Sequence, residues 1–286
     1  MSEDRRRPRT IPTGTDTPHR VTVLGAFTLI SHGTAVPLGI DARRLVAYLA
    51  VHPRPQGRRA LAADLWPGIE VEAAMRLLDD AVLAVAVPGL LVTGADGALA
   101  LGADVDVDLA AAMLLVRTLP DVPAVESPEL TLLDADILPG WTAAWIVVER
   151  ERFRQLRLHA VEERSLRLIG AGRCGEAVAL ARAAARSAPS RESARRTLIE
   201  AHLAQGDIAA AVAEYDEYQE LLRSSVGAAP AFALDALLPP SPAWPVLRAR
   251  NVMPRSAVSL PGLRSVRASG STRRLVAGGS VPGTSR

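Results

Sequence analysis

The sequence predicts a mainly α-helical chain, with a small module of helices and hairpins ahead of a stack of paired helices. Three observations carry this. Alanine is abundant while aromatic residues make up only 3% of the chain, a balance that favours closely packed helices over a β-sandwich. Gly172, Ala177, Val178 and Ala179 recur 34 residues later as Gly206, Ala211, Val212 and Ala213. Turn residues divide the first hundred positions into short strands and short helices. A period of 34 is that of the tetratricopeptide helix hairpin, which cannot bury its apolar face alone and therefore stacks. Such a stack leaves a concave surface for a partner, so the pattern points to binding rather than chemistry.

The elements follow in order. Residues 1–18 carry Arg5, Arg6, Arg7 and Arg9 among Pro, Thr and Gly, the composition of a disordered basic arm. Val21 to Ile30 has strand composition, Ser31 to Thr34 a hairpin turn, and Ala35 to Leu38 a returning strand. A helix should start near Asp41 as N-cap and stop at His52-Pro53-Arg54-Pro55. A short second helix spans Arg58 to Leu65, closed by Trp66-Pro67-Gly68. A third runs from about Val71 to Val87, with Met75, Leu78, Val82 and Val85 on its core face. Leu90 to Val92 and Ala98 to Leu101, around Gly94-Ala95-Asp96-Gly97, form a β-hairpin. Strands, three helices and a terminal hairpin are the order of a winged helix-turn-helix, placed at residues 19–108.

Asp104 to Leu109 links this module to the helical part, at residues 109–238. There, helices are expected at about 109–118, 128–136, 141–170, 173–187, 190–205, 207–224 and, more weakly, 230–237. The three alternating carboxylates Asp104, Asp106 and Asp108 read as one solvated strand face. After Pro239 the chain carries eight Arg and no acidic residue among Pro, Gly and Ser, the composition of a disordered basic tail over 239–286.

Composition narrows the function. The chain of 286 residues is 49% hydrophobic, enough for two compact domains. It contains no lysine, a bias that fits a GC-rich coding genome and predicts an actinobacterial source. Cys174 is the single cysteine, so an internal disulfide is impossible, and a packed thiol is expected. No signal-peptide pattern and no apolar run of spanning length is present, which points to the cytoplasm. His19, His32, His52, His159 and His202 lack zinc-site spacings. There is no phosphate loop and no G-x-S-x-G elbow. No cofactor, metal or catalytic group is therefore expected.

Trp141 and Trp145, four apart, are expected to share a helix face in the core. Glu149 to Arg152 and Glu162 to Arg164 read as surface ion pairs. Tyr215 and Tyr218 fit either a concave binding surface or helix packing.

Val23-Leu24-Gly25, the stretch from Leu45 to His52, and Leu61-Ala62-Ala63-Asp64-Leu65-Trp66-Pro67 resemble the winged-helix domain of the actinobacterial antibiotic regulatory proteins, the SARP family. Trp141-Thr142-Ala143-Ala144-Trp145, with Val148 to His159, resembles the start of that family's bacterial transcriptional activator domain. The resemblance covers roughly residues 20–238. It implies a transcriptional regulator, with promoter DNA at the winged helix. It also implies RNA polymerase, or a second copy as homodimer, at the helical domain.

The third helix departs from that family. It would enter the major groove and is usually rich in Arg. Here Met75, Asp79, Ala84 and Ala86 stand at positions usually basic, and only Arg76 remains. Residues 70–108 carry eight carboxylates against this one Arg, a formal −7. Binding DNA depends on neutralising phosphates, so the acidic helix predicts weakened sequence reading. The basic positions are Arg43 and Arg44 on the first helix, and Arg54, Arg58 and Arg59 around the turn into the second. Arg43, Arg44, Arg58 and Arg59 are the candidate backbone contacts and Arg76 the candidate groove contact. Two readings stay open for them: phosphate contacts, or a solvated face. A second function class follows from the latter, a protein-interaction adaptor that keeps the winged helix only as a structural domain.

Overall fold

The computed structural model describes residues 17–238. Nearly all of the expected arm, and the expected tail, lie outside them. The chain begins with β1 (His19–Thr22), β2 (Thr28–Ser31) and β3 (Thr34–Ala35). The single strand expected over 21–30 is thus two antiparallel strands, with Val21 opposite Leu29. The fold-back is made at Gly25, whose φ of +79° suits glycine. Then come α1 (Ile40–Val51), α2 (Arg58–Leu65) and α3 (Val71–Val85). The hairpin is β4 (Leu91–Thr93) with β5 (Leu99–Leu101), and β6 (Val105–Val107) returns to lie parallel to β1. Sheet order is β3-β2-β1-β6.

The helical half holds α4 (Asp108–Thr118), α5 (Ala144–Gly170), α6 (Cys174–Ser187), α7 (Glu192–Gln205), α8 (Ile208–Val226) and the short α9 (Phe232–Asp235). Among the described residues no helix is long and apolar enough to cross a membrane.

Asp108 is not on a solvated face. Its carboxylate accepts from Val23 N at 2.9 Å, Leu24 N at 3.0 Å and Leu109 N at 2.7 Å. It ties the end of the first strand to the start of α4, using backbone donors that no ladder satisfies. The outer face of β6 keeps only Asp106, paired with Arg20 at 3.0 Å.

The helix expected over 128–136 is a single 3-10 turn, Thr131–Leu133. Residues 119–143 are otherwise largely irregular, and their carbonyls need donors. These come from a stripe of arginines spaced seven apart on α5, a spacing that keeps them on one side of the helix. Arg150 donates to the carbonyls of Ile137 (2.7 Å), Leu138 and Trp141 (2.9 Å). Arg157 reaches Leu133 (3.2 Å) and Ala135 (2.8 Å), with Asp136 at 2.6 Å. Arg164, only 2% exposed, reaches Val122, Pro123 (3.1 Å) and Glu126 (2.6 Å). Arg173, just beyond α5, adds Ala124.

Arg150 and Arg164 are therefore not in surface ion pairs, and Glu162 is buried against Arg191 at 2.8 Å. The periodicity of α5 misleads because the helix is covered on several sides. Only pairs such as Arg152–Glu149, at 3.6 Å, match the surface expectation.

Held in this way, the irregular segment completes the first core. Leu138 N donates to Val23 O at 2.9 Å and Gly25 N to Asp136 O at 2.8 Å. Ile137 and Leu138 are each 1% exposed. That core runs from Val21 through α1–α3 to Ile146 and Phe153, without a break at residue 108. The second core lies among α5, α6 and α7 and is mostly alanine, which lets helix axes approach closely.

The 34-residue repeat acquires a physical meaning here. Gly172 and Gly206 take φ of +76° and +84° just past the ends of α5 and α7, the left-handed cap that glycine supplies without strain. Ala177 and Ala211 are both fully buried, where a larger side chain would push the helices apart. Tyr215 and Tyr218 are buried as well, and Tyr218 donates to Ser190 O at 3.3 Å. Helix packing, not a concave lining, accounts for them.

Two pairs of substitutions test this scheme by urea unfolding. Gly206→Ala should cost about 1–2 kcal/mol through left-handed strain, whereas Gly175→Ala, with open space around its Cβ, should be neutral or stabilising by about 0.5 kcal/mol. Arg164→Met should cost about 1–3 kcal/mol by removing three bonds from a buried guanidinium to part-buried carbonyls. Arg164→Lys should restore only part, because one ammonium lacks the planar fork that spans three acceptors.

Candidate nucleic-acid interface

The helix-turn-helix is built on α2 and α3, with α1 behind them. Leu45, Leu49, Leu61, Leu65 and Leu78 are fully or almost fully buried between the three helices. Two polar bonds fix α1 against the end of α2. Tyr48 donates to Asp64 Oδ2 at 2.6 Å, and Trp66 Nε1 donates to Asp41 Oδ1 at 3.2 Å. The Tyr48 phenol is raised well above its ordinary value of 10, first by burial, then by its bond to Asp64 and the nearby carboxylate charges. His19, buried beneath the sheet, bonds Ser31 Oγ at 3.1 Å and Pro88 O at 3.0 Å, so strand β1 holds the chain between α3 and the hairpin.

On α3 the buried stripe is Ala74, Leu78, Ala81 and Val85. The expected stripe is displaced by one position at Met75 and Val82, which are half-buried. Small residues at 74 and 81 let α1 and α2 pack close to the α3 backbone. The opposite face is the one expected: Glu72, Arg76, Asp79, Asp80 and Leu83 are all exposed. Leu83 is 77% exposed, an apolar side chain with nothing to offer a phosphate. Glu70 caps the helix itself, its carboxylate accepting from Glu72 N and Ala73 N at 3.2 Å each. Those N–H groups, with the positive end of the helix dipole, are the usual phosphate cradle at a helix start. Here an internal carboxylate occupies it.

The candidate arginines divide into two sets. Arg43 on α1 lies 5.7 Å from the centre of the Trp141 ring, a cation–π contact toward the helical half. Arg44 pairs with Asp41 at 3.6 Å and donates to Leu65 O at 3.4 Å. Arg58 is bonded to Asp79 of α3. Arg59 and Arg76 are exposed and have no ion pair among the described residues. The structure thus brings Arg58 to α3 but against a carboxylate, and turns Arg43 away to an aromatic seam. In that seam Trp141 and Trp145 meet edge to face at 6.3 Å, and Tyr48 meets Trp145 at 5.0 Å. Trp141 precedes α5 rather than opening it; the core role of the pair holds.

The β4–β5 hairpin has the position of a wing. It is braced from below by Gln56, whose N and O exchange 2.8 Å bonds with Leu99. Its residues 88–103 include one charged side chain, Asp96, so it brings no cation to a phosphate. Sequence reading missed the Glu70 cap and the Arg58–Asp79 bond. The first has a visible signal, a carboxylate two and three residues before the helix N–H groups it takes; the second depends on how α2 and α3 cross. Among the described residues no group of three or more His, Cys, Asp or Glu could hold a metal ion.

Comparison with known proteins adds the following. Residues 129–238 match the family model of the bacterial transcriptional activator domain. A structure of Mycobacterium tuberculosis EmbR in complex with a low-affinity phosphopeptide superposes with a TM-score of 0.57 at 20% identity, covering 78% of this chain. The chain spans 66% of that protein's length, just under two thirds. At this identity the likeness is one of fold. No curated protein matches the sequence. The domain match bears out the resemblance over residues 129–238, and the likeness of fold bears out the expected architecture.

Substituting Tyr48 by Phe should lower stability by about 1 kcal/mol at neutral pH, since the exposed Asp64 regains water. A phenol whose folded value is raised stabilises fully below its unfolded value near 10 and loses that contribution as pH rises through the folded value. Denaturant titrations between pH 8 and pH 11 should therefore show the native protein losing stability above pH 10 more steeply than Tyr48→Phe.

Proposed function

We propose that this chain, whose residues 129–238 match the bacterial transcriptional activator domain, is a SARP-type cytoplasmic transcriptional regulator. It contacts promoter DNA through the winged helix with weak sequence selectivity. The helical domain meets a protein partner, RNA polymerase or a second copy of the chain. The observation that carries DNA contact is geometric: a complete helix-turn-helix whose third helix presents an uncovered face beside a hairpin wing. Arg76 on that helix and Arg59 on α2 supply exposed cations without an ion pair among the described residues. Arg58 joins them once a phosphate displaces Asp79. Arg43 and Arg44, held by Trp141 and Asp41, contribute less.

Weak selectivity follows from charge. Each phosphate neutralised contributes through counterion release, and two free arginines give little of it. Asp79 and Asp80 add repulsion. The self-capped start of α3 withholds the N–H groups that would anchor the backbone.

The adaptor reading keeps its place because Glu72, Asp79 and Asp80 are exposed on the face that would meet DNA, and carboxylates there repel phosphates.

Fluorescence anisotropy of the full chain on its own upstream DNA and on a scrambled duplex, over a salt series, decides between them. For DNA contact, Arg59→Ala and Arg76→Ala should each flatten the log K against log salt slope by about 0.9. Asp79→Asn with Asp80→Asn should raise affinity severalfold on both duplexes. Slopes and affinities unmoved by all four changes would leave the adaptor.

A further inference from the structure

A cleft of about 510 Å³ lies where the end of α1 and the turn after it face α4 and α5. That volume is in the range of small-molecule sites. Its floor is apolar: Leu109 and Met113 from α4, Ile137 from the clamped segment, Phe153 from α5. Its polar rim carries three arginines against one carboxylate, Glu149, which lies between Arg152 at 3.6 Å and His52 at 3.9 Å. Arg54 comes from the α1–α2 turn, Arg117 from the last turn of α4 and Arg152 from α5.

Arg152 is answered by Glu149 at 3.6 Å. Arg54 and Arg117 are exposed and have no ion pair among the described residues. Other exposed arginines without an ion pair, Arg59 and Arg76, lie on α2 and α3; Arg54 and Arg117 differ in lining one cleft with an apolar floor. A planar guanidinium suits carboxylate, sulfonate or phosphate oxygens. The floor suits a hydrocarbon or aromatic body.

We infer that this cleft is a binding site for a small amphipathic anion, its acidic head held between Arg54 and Arg117 and its apolar body over Met113 and Phe153. The site bridges the two halves of the protein. Arg54 sits two residues from Gln56, whose backbone is bonded to wing strand β5 at Leu99. A ligand drawing Arg54 toward Arg117 acts on the wing through that bond. The inference goes beyond the proposed function and does not depend on DNA binding.

The test titrates the full chain with the amphipathic anion 8-anilinonaphthalene-1-sulfonate, read by fluorescence enhancement and by calorimetry. Saturable one-to-one binding is expected. The double change Arg54→Gln with Arg117→Gln should weaken it at least tenfold with an unchanged melting temperature, since both side chains are exposed. Met113→Trp, which fills the floor, should also weaken it at least tenfold. The uncharged analogue N-phenyl-1-naphthylamine should bind at least tenfold more weakly than the sulfonate. Sulfonate binding retained within twofold in the double variant, or equal binding of the uncharged analogue, would overturn the assignment.

Discussion

The structure depends on a row of guanidinium groups buried along one helix. Arg150, Arg157 and Arg164 donate to eight carbonyls of a segment that has almost no regular structure of its own. A buried carbonyl left without a donor costs about 1–3 kcal/mol, so an irregular stretch of this length cannot enter a protein interior unaided. Arginine solves the problem because its five donors lie in one plane and can serve neighbouring acceptors together. The gain is also architectural. The segment delivers Ile137 and Leu138 into the core of the winged helix, and it is anchored on the helix that founds the repeat stack. The two halves therefore share structure rather than merely touching.

That sharing has a functional consequence. Rearrangement of α5 or of the clamped segment would be felt at Val23 and Gly25, in the turn between β1 and β2. The aromatic seam of Tyr48, Trp145 and Trp141 runs along the same boundary, with Arg43 stacked on its end. At a junction of this kind small displacements pass between the two halves, because no flexible linker absorbs them.

Electrostatics in the winged helix runs opposite to the fold's usual task. Glu70 occupies the start of α3, Asp79 occupies Arg58, and Asp96 is the only charge on the wing. Each carboxylate satisfies a donor or cation that would otherwise be presented outward. The module has kept its shape, because shape rests on Leu45, Leu61, Leu78 and their neighbours, while its surface has been largely neutralised from within.

Much of this was legible from residues alone. Helices α2 and α6–α8 were predicted to within a few positions, because their apolar spacing and their Gly and Pro stops are local signals. The 34-residue repeat announced the stacking and put Gly172 and Gly206 at its turns; their left-handed backbone was seen only in the structure. The acidic face of α3 was equally plain, since exposure on a short amphipathic helix follows from its period. Other features existed only in three dimensions. The fold-back at Gly25 was hidden in an apolar run that reads as one strand. Residues 128–136 read as a helix but gave their carbonyls to arginines from elsewhere. Arg150 and Arg164 sat in charge-rich stretches that look solvated, although with Arg157 between them a seven-residue spacing was visible. The pairing of Arg58 with Asp79, and the cleft under Arg54 and Arg117, join residues distant in sequence. Local periodicity and turn chemistry act over a few neighbours and so determined the elements. Which buried donor meets which acceptor depends on how those elements cross, and only the tertiary structure decided that.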